Sequence, residues 1–285
     1  MSKPLLQIAL DSLSLEKAVA DAKQAENQVE IIECGTILAF SEGMKAVSTL
    51  RALHPNHIIV CDLKTTDGGA ILAKMAFEAG ADWLTVSAAA HPATKAACKK
   101  VADEFNAAHP ELKVKKEIQI EIYGNWTVEK DAKEWVELGV KQAIYHRSRD
   151  AELAGKGWTA EDVELMKQLS DLGIELSITG GIVPEDIHLF KEIKNAKAFI
   201  AGRALVGEKG KQTAEAIRAE IDKYCTKPAL EPNKNGVLST GTPFSSHFFY
   251  LFSIFGKPIF STISPHFRRL KSGSLCLILT PLLNC

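Results

Sequence analysis

The sequence lacks the patterns that mark several common classes of protein. None of its six cysteines forms a CxxC or CxxH pair, so a zinc site is not expected. No GxGxxG motif opens a helix after a strand, which argues against a dinucleotide-binding sheet. The formal net charge is −1, and a chain without a basic surplus is not expected to be a dedicated nucleic-acid binder.

The sequence also lacks a long apolar run. A membrane-spanning helix needs roughly 20 mostly apolar residues. The most apolar segment, residues 247–263, is interrupted by Gly256-Lys257-Pro258. The opening Met-Ser-Lys-Pro leads directly into an apolar stretch and has no signal-peptide pattern. We therefore expect a protein of the reducing cytoplasm that does not enter a membrane.

What the chain does contain is a repeated alternation of short apolar strands and amphipathic helices. Eight strand–helix units fit into about 225 residues, which is the size and period of an α/β protein with a (β/α)8, or TIM, barrel. A doubly wound open sheet is the alternative. The predicted strands cover residues 5–10, 29–32, a run that begins at His57, 83–86, 118–122, 140–145, 174–178 and 198–201.

Residues 226–285 differ in composition from the rest. They hold six of the eleven prolines, seven of the twelve phenylalanines and six basic residues against the single acid Glu231. We predict two parts: a (β/α)8 barrel domain over residues 1–225, and a Pro/Phe-rich C-terminal extension over 226–285 without a recognised domain. The extension is aberrant for a barrel, and we expect it to be poorly ordered and unrelated to catalysis.

Ionisable residues follow most of the predicted strands. In a TIM barrel these strand ends meet at one rim, where the active site lies. Any one of them has a structural explanation, such as a helix cap for Asp11, but burying so many charges without a ligand would be unfavourable. The residues are Asp11, Glu33, Asp62, Lys64, Glu121, His146 and Arg149.

Two glycine turns follow the last two strands. Thr179-Gly180-Gly181 and Ala201-Gly202-Arg203 allow backbone N–H groups to approach an anion, and Arg203 adds positive charge. Strands seven and eight are the frequent phosphate site of TIM-barrel enzymes. Glu33 and Asp62 supply the hard oxygen ligands that Mg2+ prefers.

Several of these motifs resemble those of a known family. Asp62-x-Lys64-x-x-Asp67 resembles the signature of the orotidine 5′-phosphate decarboxylase suprafamily. The runs Ile31-Ile32-Glu33-x-Gly35-Thr36 and His146-Arg147-Ser148-Arg149-Asp150, with the two glycine turns, are similar to its 3-keto-L-gulonate 6-phosphate decarboxylase branch. The resemblance covers about residues 3–225.

The resemblance implies Mg2+-dependent decarboxylation of 3-keto-L-gulonate 6-phosphate to L-xylulose 5-phosphate and CO2, through an enediolate, in L-ascorbate breakdown. It also implies a homodimer with the active site at the interface, where Asp67 reaches the partner's site. The implied roles are metal binding for Glu33 and Asp62; catalysis for Lys64, Asp67, His146 and Arg149; and substrate binding for Asp11, Glu121, Thr179, Gly181, Gly202 and Arg203.

Two other functions remain open from the sequence. A 3-hexulose-6-phosphate synthase, which condenses formaldehyde with D-ribulose 5-phosphate, shares the Mg2+ and enediolate chemistry. We expect that relative to lack an arginine matching Arg149, so its presence favours the decarboxylase. A catalytically inactive binding barrel is expected to have lost Asp62, Lys64 or His146, and all three are present.

Overall fold

The structure, a computed structural model, describes residues 3–123 and 126–225. Their eight parallel strands close into a barrel in sequence order, which confirms the predicted TIM barrel. The strands are β1 (Leu5–Leu10), β2 (Ile31–Cys34), β3 (Ile58–Thr65), β4 (Trp83–Ser87), β5 (Glu117–Ile122), β6 (Gln142–His146), β7 (Glu175–Thr179) and β8 (Ala196–Ala201).

Helices lie between the strands. The α-helices are α1 (Leu15–Ala25), α2 (Thr36–Glu42), α3 (Met44–Leu53), α4 (Gly69–Glu78), α5 (Pro92–Ala108), α6 (Lys133–Glu137), α7 (Arg149–Leu153), α8 (Ala160–Asp171) and α9 (Gly210–Tyr224). A π-helical turn, Val128–Ala132, precedes α6, and two 3-10 segments, Pro184–Phe190 and Arg203–Leu205, follow β7 and β8.

Side-chain caps fix where several helices begin. The Ser14 hydroxyl accepts the backbone N–H of Lys17 at the start of α1. Thr159 and Asp162 form a reciprocal capping box at the start of α8, as the sequence predicts for Thr159. Pro92 occupies the first turn of α5, where its missing N–H costs no hydrogen bond. Each cap therefore fixes the residue at which a loop ends and the next helix begins.

The interior of the barrel changes in polarity from one end to the other. Alternate residues of a strand share a face, so each strand sends every second side chain inward. Near the N-terminal ends, Ile31, Val60, Trp83 and Ala198 form a small apolar cluster. Fully buried amides and hydroxyls lie along the same inward faces and include Gln7, Thr85, Gln119, Gln142 and Ser177. The ionisable residues follow at the C-terminal rim.

Two short helices differ from the sequence prediction. The structure adds α2 directly after β2 and α7 directly after β6, where no helix was predicted. Each has at most seven residues, which is too short to show a periodic apolar stripe. The sequence predicts one helix over residues 128–138, after the fifth strand, and the structure has a helix there whose first turn is π-helical.

The predicted extension over residues 226–285 lies outside the described residues, so the division of the chain at residue 225 stays a prediction. Within residues 3–123 and 126–225, no helix combines the length and the apolar character needed to cross a membrane.

A buried charge cluster closes the N-terminal end of the barrel. Asp82, just before β4, accepts a hydrogen bond from the Ile59 N–H at 2.9 Å and pairs with Arg51 and Lys116. Lys116 Nζ lies 3.1 Å from Asp82 Oδ1 and 2.6 Å from the Ala81 carbonyl oxygen. Both Asp82 and Lys116 are only 6% exposed. One carboxylate therefore satisfies two cations far from the rim that carries the site.

We expect Asp82→Ala to destabilise the fold by about 3–5 kcal/mol, because it leaves the buried Lys116 ammonium without its counter-charge. The free energy of unfolding in urea measures the loss. The control is Asp103→Ala, which breaks the exposed Lys99–Asp103 pair on α5 and should cost at most about 0.5 kcal/mol. Equal losses in the two variants would mean that the Asp82 cluster adds nothing beyond a surface pair.

Candidate active site

A cavity of about 600 Å³ opens at the C-terminal rim of the barrel. Strand ends and the loops after them supply its walls, as the barrel topology requires. Eleven of the twelve predicted site residues line it: Asp11, Glu33, Asp62, Lys64, Glu121, His146, Arg149, Thr179, Gly181, Gly202 and Arg203.

Asp67 is the exception. It is exposed, lies in the turn between β3 and α4, and does not line the cavity of its own chain. The structure therefore does not bring Asp67 together with the other predicted site residues. Its predicted role in a partner's site stays a prediction.

Asp62 is a buried carboxylate held by three donors. Lys64 Nζ lies 2.6 Å and Thr36 Oγ1 2.5 Å from its Oδ2, and the Thr85 hydroxyl donates to Oδ1 at 2.6 Å. Burial alone would raise the pKa of Asp62. The Lys64 charge and these hydrogen bonds outweigh burial and hold the pKa below its ordinary value. Asp62 is thus kept ionised and fixed in orientation.

Lys64 has an unusual backbone. Its φ of 46° places it in the left-handed region, and the pairing of β3 with β4 shifts in register between Cys61 and Thr65. The Thr85 hydroxyl accepts the Lys64 N–H at 2.9 Å and so supports this conformation. The sequence predicts that Asp62 and Lys64 share a face of a regular strand. Their side chains do meet, but through this irregularity.

The Lys64 ammonium joins two carboxylates. Besides Asp62 it contacts Glu121 Oε1 on β5 at 2.9 Å. Burial alone would lower the pKa of Lys64, but the charges of Asp62 and Glu121 raise it above the ordinary value. The ammonium is therefore retained despite its burial.

Glu121 also orients His146. Its Oε1 lies 2.6 Å from His146 Nδ1, so the imidazole donates from Nδ1 and leaves Nε2 free for proton exchange. The ring of Tyr123 packs edge-on against His146, with centroids 6.4 Å apart. Glu121 Oε2 is buried and makes no hydrogen bond to any residue in the described part of the chain.

Glu33 and Asp11 add two further carboxylates beside Asp62. Gln7 Nε2 donates to Glu33 Oε2 at 2.5 Å. Burial, then the charges of Asp62 and Asp11, raises the pKa of Glu33 well above its ordinary value. Burial and Asp62 also raise the pKa of Asp11. A Cβ at Gly35 would lie 2.3 Å from Asp11 Oδ1, so only glycine lets that carboxylate approach.

The glycine turns form a second region of the cavity. Gly180 and Gly181 have φ values of 114° and 63°, and a Cβ at Gly180 would lie 2.2 Å from the Arg147 carbonyl oxygen. Glycine is therefore required at Gly180 both for its backbone angle and for its contact. Arg203, from the second turn, pairs with Glu152 of α7.

Sequence reasoning missed the side chains that hold the site residues in place. Gln7 fixes Glu33, while Thr36 and Thr85 fix Asp62. Thr36 stands in the quoted Glu33-x-Gly35-Thr36 run, so its position carried a signal. Gln7 and Thr85 carried none, because they lie within strands and act across to a neighbouring strand. Glu152 was missed for a similar reason, since it lies 51 residues from Arg203.

The number and arrangement of the carboxylates in the cavity limit which metal ion they could hold. Within the described ranges, no group of three or more His, Cys, Asp or Glu side chains is arranged to hold a metal ion. Mg2+ needs fewer, because it keeps water and binds through one or two carboxylates together with substrate oxygens. Burial first, and then the charges of Asp62 and Asp11, raise the pKa of Glu33, and a bound cation would offset these effects. The Glu33 and Asp62 oxygens therefore fit such a cation.

Fold and site together define a TIM-barrel enzyme with a charged cavity at its C-terminal rim. Residues 4–218 match the orotidine 5′-phosphate decarboxylase / HUMPS family. The chain belongs to this family, which confirms the resemblance of its motifs.

The names of similar proteins point to one activity within this family. A Haemophilus influenzae protein named as a probable 3-keto-L-gulonate-6-phosphate decarboxylase is 67% identical over 224 residues, which cover 79% of this chain and 99% of that protein. The 3-keto-L-gulonate-6-phosphate decarboxylase SgbH of Escherichia coli (strain K12) is 49% identical, covering 78% and 96%. A Vibrio cholerae crystal structure of a 3-keto-L-gulonate-6-phosphate decarboxylase is 68% identical, with a TM-score of 0.72, and covers 78% and 99%. All three names denote carboxy-lyases.

We expect Glu33→Gln to stabilise the metal-free protein by about 1 kcal/mol or more at pH 8, which is roughly 2–4 °C in Tm. A carboxyl group with a higher pKa in the folded state than in the unfolded state destabilises the fold once the pH rises above its unfolded value of about 4.3. The gain should therefore shrink towards pH 5. Thermal melts at both pH values measure it.

The control for that measurement is Glu137→Gln on the exposed face of α6, which should give no pH-dependent gain. A Glu33→Gln variant less stable than the parent at pH 8 would contradict the prediction.

Proposed function

We propose that the protein catalyses Mg2+-dependent decarboxylation of 3-keto-L-gulonate 6-phosphate to L-xylulose 5-phosphate and CO2, in the cytoplasmic breakdown of L-ascorbate. The observation that carries the proposal is the hydrogen-bonded chain from Asp62 through Lys64 and Glu121 to His146, which shares one cavity with the glycine turns. The names of the similar proteins support the same activity.

Lys64 serves the first step. When CO2 leaves, the C–C bond to the carboxylate breaks and its electrons move onto the neighbouring carbonyl oxygen, which gives an enediolate. The fixed Lys64 ammonium supplies positive charge to that oxygen without reorganising in the transition state. Mg2+, held by Glu33 and Asp62, would supply Lewis-acid stabilisation of negative charge on substrate oxygens.

His146 serves the second step. The enediolate carbon takes a proton, and Nε2 of His146 is the nitrogen that exchanges it, directly or through water. The hydrogen bond from Nδ1 to Glu121 keeps the ring in that orientation. Arg149, at the first turn of α7, lines the same cavity and adds positive charge near the reacting carbon.

The remaining residues bind the rest of the substrate. Arg203 and the backbone N–H groups near Gly181 and Gly202 hold the phosphate, with Thr179 beside them. The carboxylates of Asp11 and Glu121 accept hydrogen bonds from sugar hydroxyls. Both residues line the cavity, which supports this assignment.

The proposal includes a homodimer in which Asp67 completes the partner's site. Asp67 is exposed in the turn just before α4 and does not line its own cavity. The same helix exposes Ile71 by 69% and Met75 by 45%. Such an interface requires an apolar surface beside a carboxylate that does not act in the site of its own chain.

We expect the full chain to release CO2 from 3-keto-L-gulonate 6-phosphate with Mg2+ and to lose that activity when Mg2+ is chelated. Lys64→Ala and His146→Asn should each lower kcat by roughly 100-fold or more, because they remove charge stabilisation and proton transfer. The exposed Lys211→Ala on α9 is the control and should match the parent.

Two outcomes would contradict this activity. Consumption of formaldehyde and D-ribulose 5-phosphate without CO2 release would make the protein a 3-hexulose-6-phosphate synthase. No turnover in either assay by a folded chain would favour an inactive binding barrel.

Mixing two inactive variants tests the shared site. If Asp67 acts in the partner's site, co-expressed Asp67→Ala and Lys64→Ala chains form heterodimers with one intact site. Random pairing should then restore about a quarter of the parent activity. Each variant alone is the control. A mixture that stays as inactive as its components would place Asp67 outside catalysis or within its own site.

A further inference from the structure

The Glu152 carboxylate lies where the proposed function needs an anion to bind. A Cβ at Gly181 would be only 2.6 Å from Glu152 Oε1. Arg203 Nη2 donates to both carboxylate oxygens, at 3.0 and 2.8 Å. Glu152 and Arg203 line the cavity together with both glycine turns. The only cationic side chain of the two glycine turns is thus already paired with an anion of the same chain.

A second cation borders this position. The Arg147 guanidinium stacks over Trp158 with 4.7 Å to the ring centroid, and its Nη2 would lie 2.8 Å from a Cβ at Gly181. The Glu152 carboxylate therefore lies among an arginine pair and a glycine turn, which are the groups that recognise a phosphate.

We infer that Glu152 occupies the phosphate subsite in the free protein and is a specificity-determining residue, because an entering group must carry enough negative charge to displace it from Arg203. This inference rests on the proposed function, which supplies the phosphate. A dianionic phosphate gains Arg203 and the turn N–H groups, with the charge of Arg147 nearby. A neutral or weakly charged sugar end gains too little to break the pair.

The ion pair is suited to displacement. The Arg203 side chain is 57% exposed and the Glu152 side chain 28%, so the pair is partly screened by water. A partly exposed pair stabilises the free protein only modestly, so the contacts of a dianionic phosphate outweigh it. Glu152 and Arg149 lie three residues apart on α7 and so share one face of that helix.

The test measures binding of inorganic phosphate to the full chain by titration calorimetry in metal-free buffer. We expect Glu152→Gln and Glu152→Ala each to tighten phosphate binding by roughly two- to fivefold, the range set by losing a partly exposed ion pair. A gain in affinity cannot come from a misfolded variant. Asp150→Asn is the matched control, since it removes one charge from the same helix at a residue that does not line the cavity.

The outcomes separate this inference from the proposed function. Unchanged or weaker phosphate binding in the Glu152 variants would overturn the inference, because Glu152 would then be absent from the subsite or would order Arg203 for the ligand. Equal tightening in Asp150→Asn would overturn it too, since the effect would be one of net charge. Arg203→Ala tests the subsite itself and should weaken phosphate binding roughly tenfold or more. If Arg203→Ala has no effect, or the parent does not bind phosphate, the proposed phosphate site fails and the inference fails with it.

Discussion

The site depends on one buried ammonium shared by two carboxylates. Lys64 contacts Asp62 and Glu121 at 2.6 and 2.9 Å, while Glu33 and Asp11 lie nearby with raised pKa values. Carboxylates gathered in a barrel repel one another, and desolvation adds to the cost. Lys64 offsets part of that repulsion. The repulsion that remains favours binding of a cation or of hydrogen-bond donors. The carboxylates that weaken the fold here therefore create the capacity to bind a ligand.

The two ends of the barrel differ in the balance between their buried acidic and basic groups. At the N-terminal end, Asp82 meets Arg51 and Lys116, so two cations surround one carboxylate and its oxygens are satisfied. At the C-terminal rim, acids outnumber the bases that they contact. Between them lies a layer of buried amides and hydroxyls, of which Gln7 and Thr85 reach up to the rim carboxylates. Stability and chemistry are thus separated along the barrel axis.

The sequence predicted the barrel well because the pattern that defines it is local. β1 and β5 lie where the runs of apolar residues predict them. The convergence of Asp62, Glu121 and His146 also followed, since parallel strands in a barrel end at one rim.

Contacts between side chains from distant parts of the chain could not be predicted. The left-handed φ of Lys64 depends on a register shift against β4, and the Glu152–Arg203 pair joins a short exposed helix to a turn 51 residues away. Neither leaves a periodic trace in the sequence. Gln7 resembles any buried strand residue until its partner Glu33 is seen.

The backbone at Lys64 has a consequence for engineering. Glycine adopts a φ of 46° with no steric penalty, whereas lysine pays of order 1 kcal/mol or more for it. Replacing Lys64 with glycine would relieve that strain, but it would also leave the buried carboxylates of Asp62 and Glu121 without their counter-charge, which costs more than the strain. The ion pairs of the site therefore hold in place a backbone conformation that lysine alone would not choose.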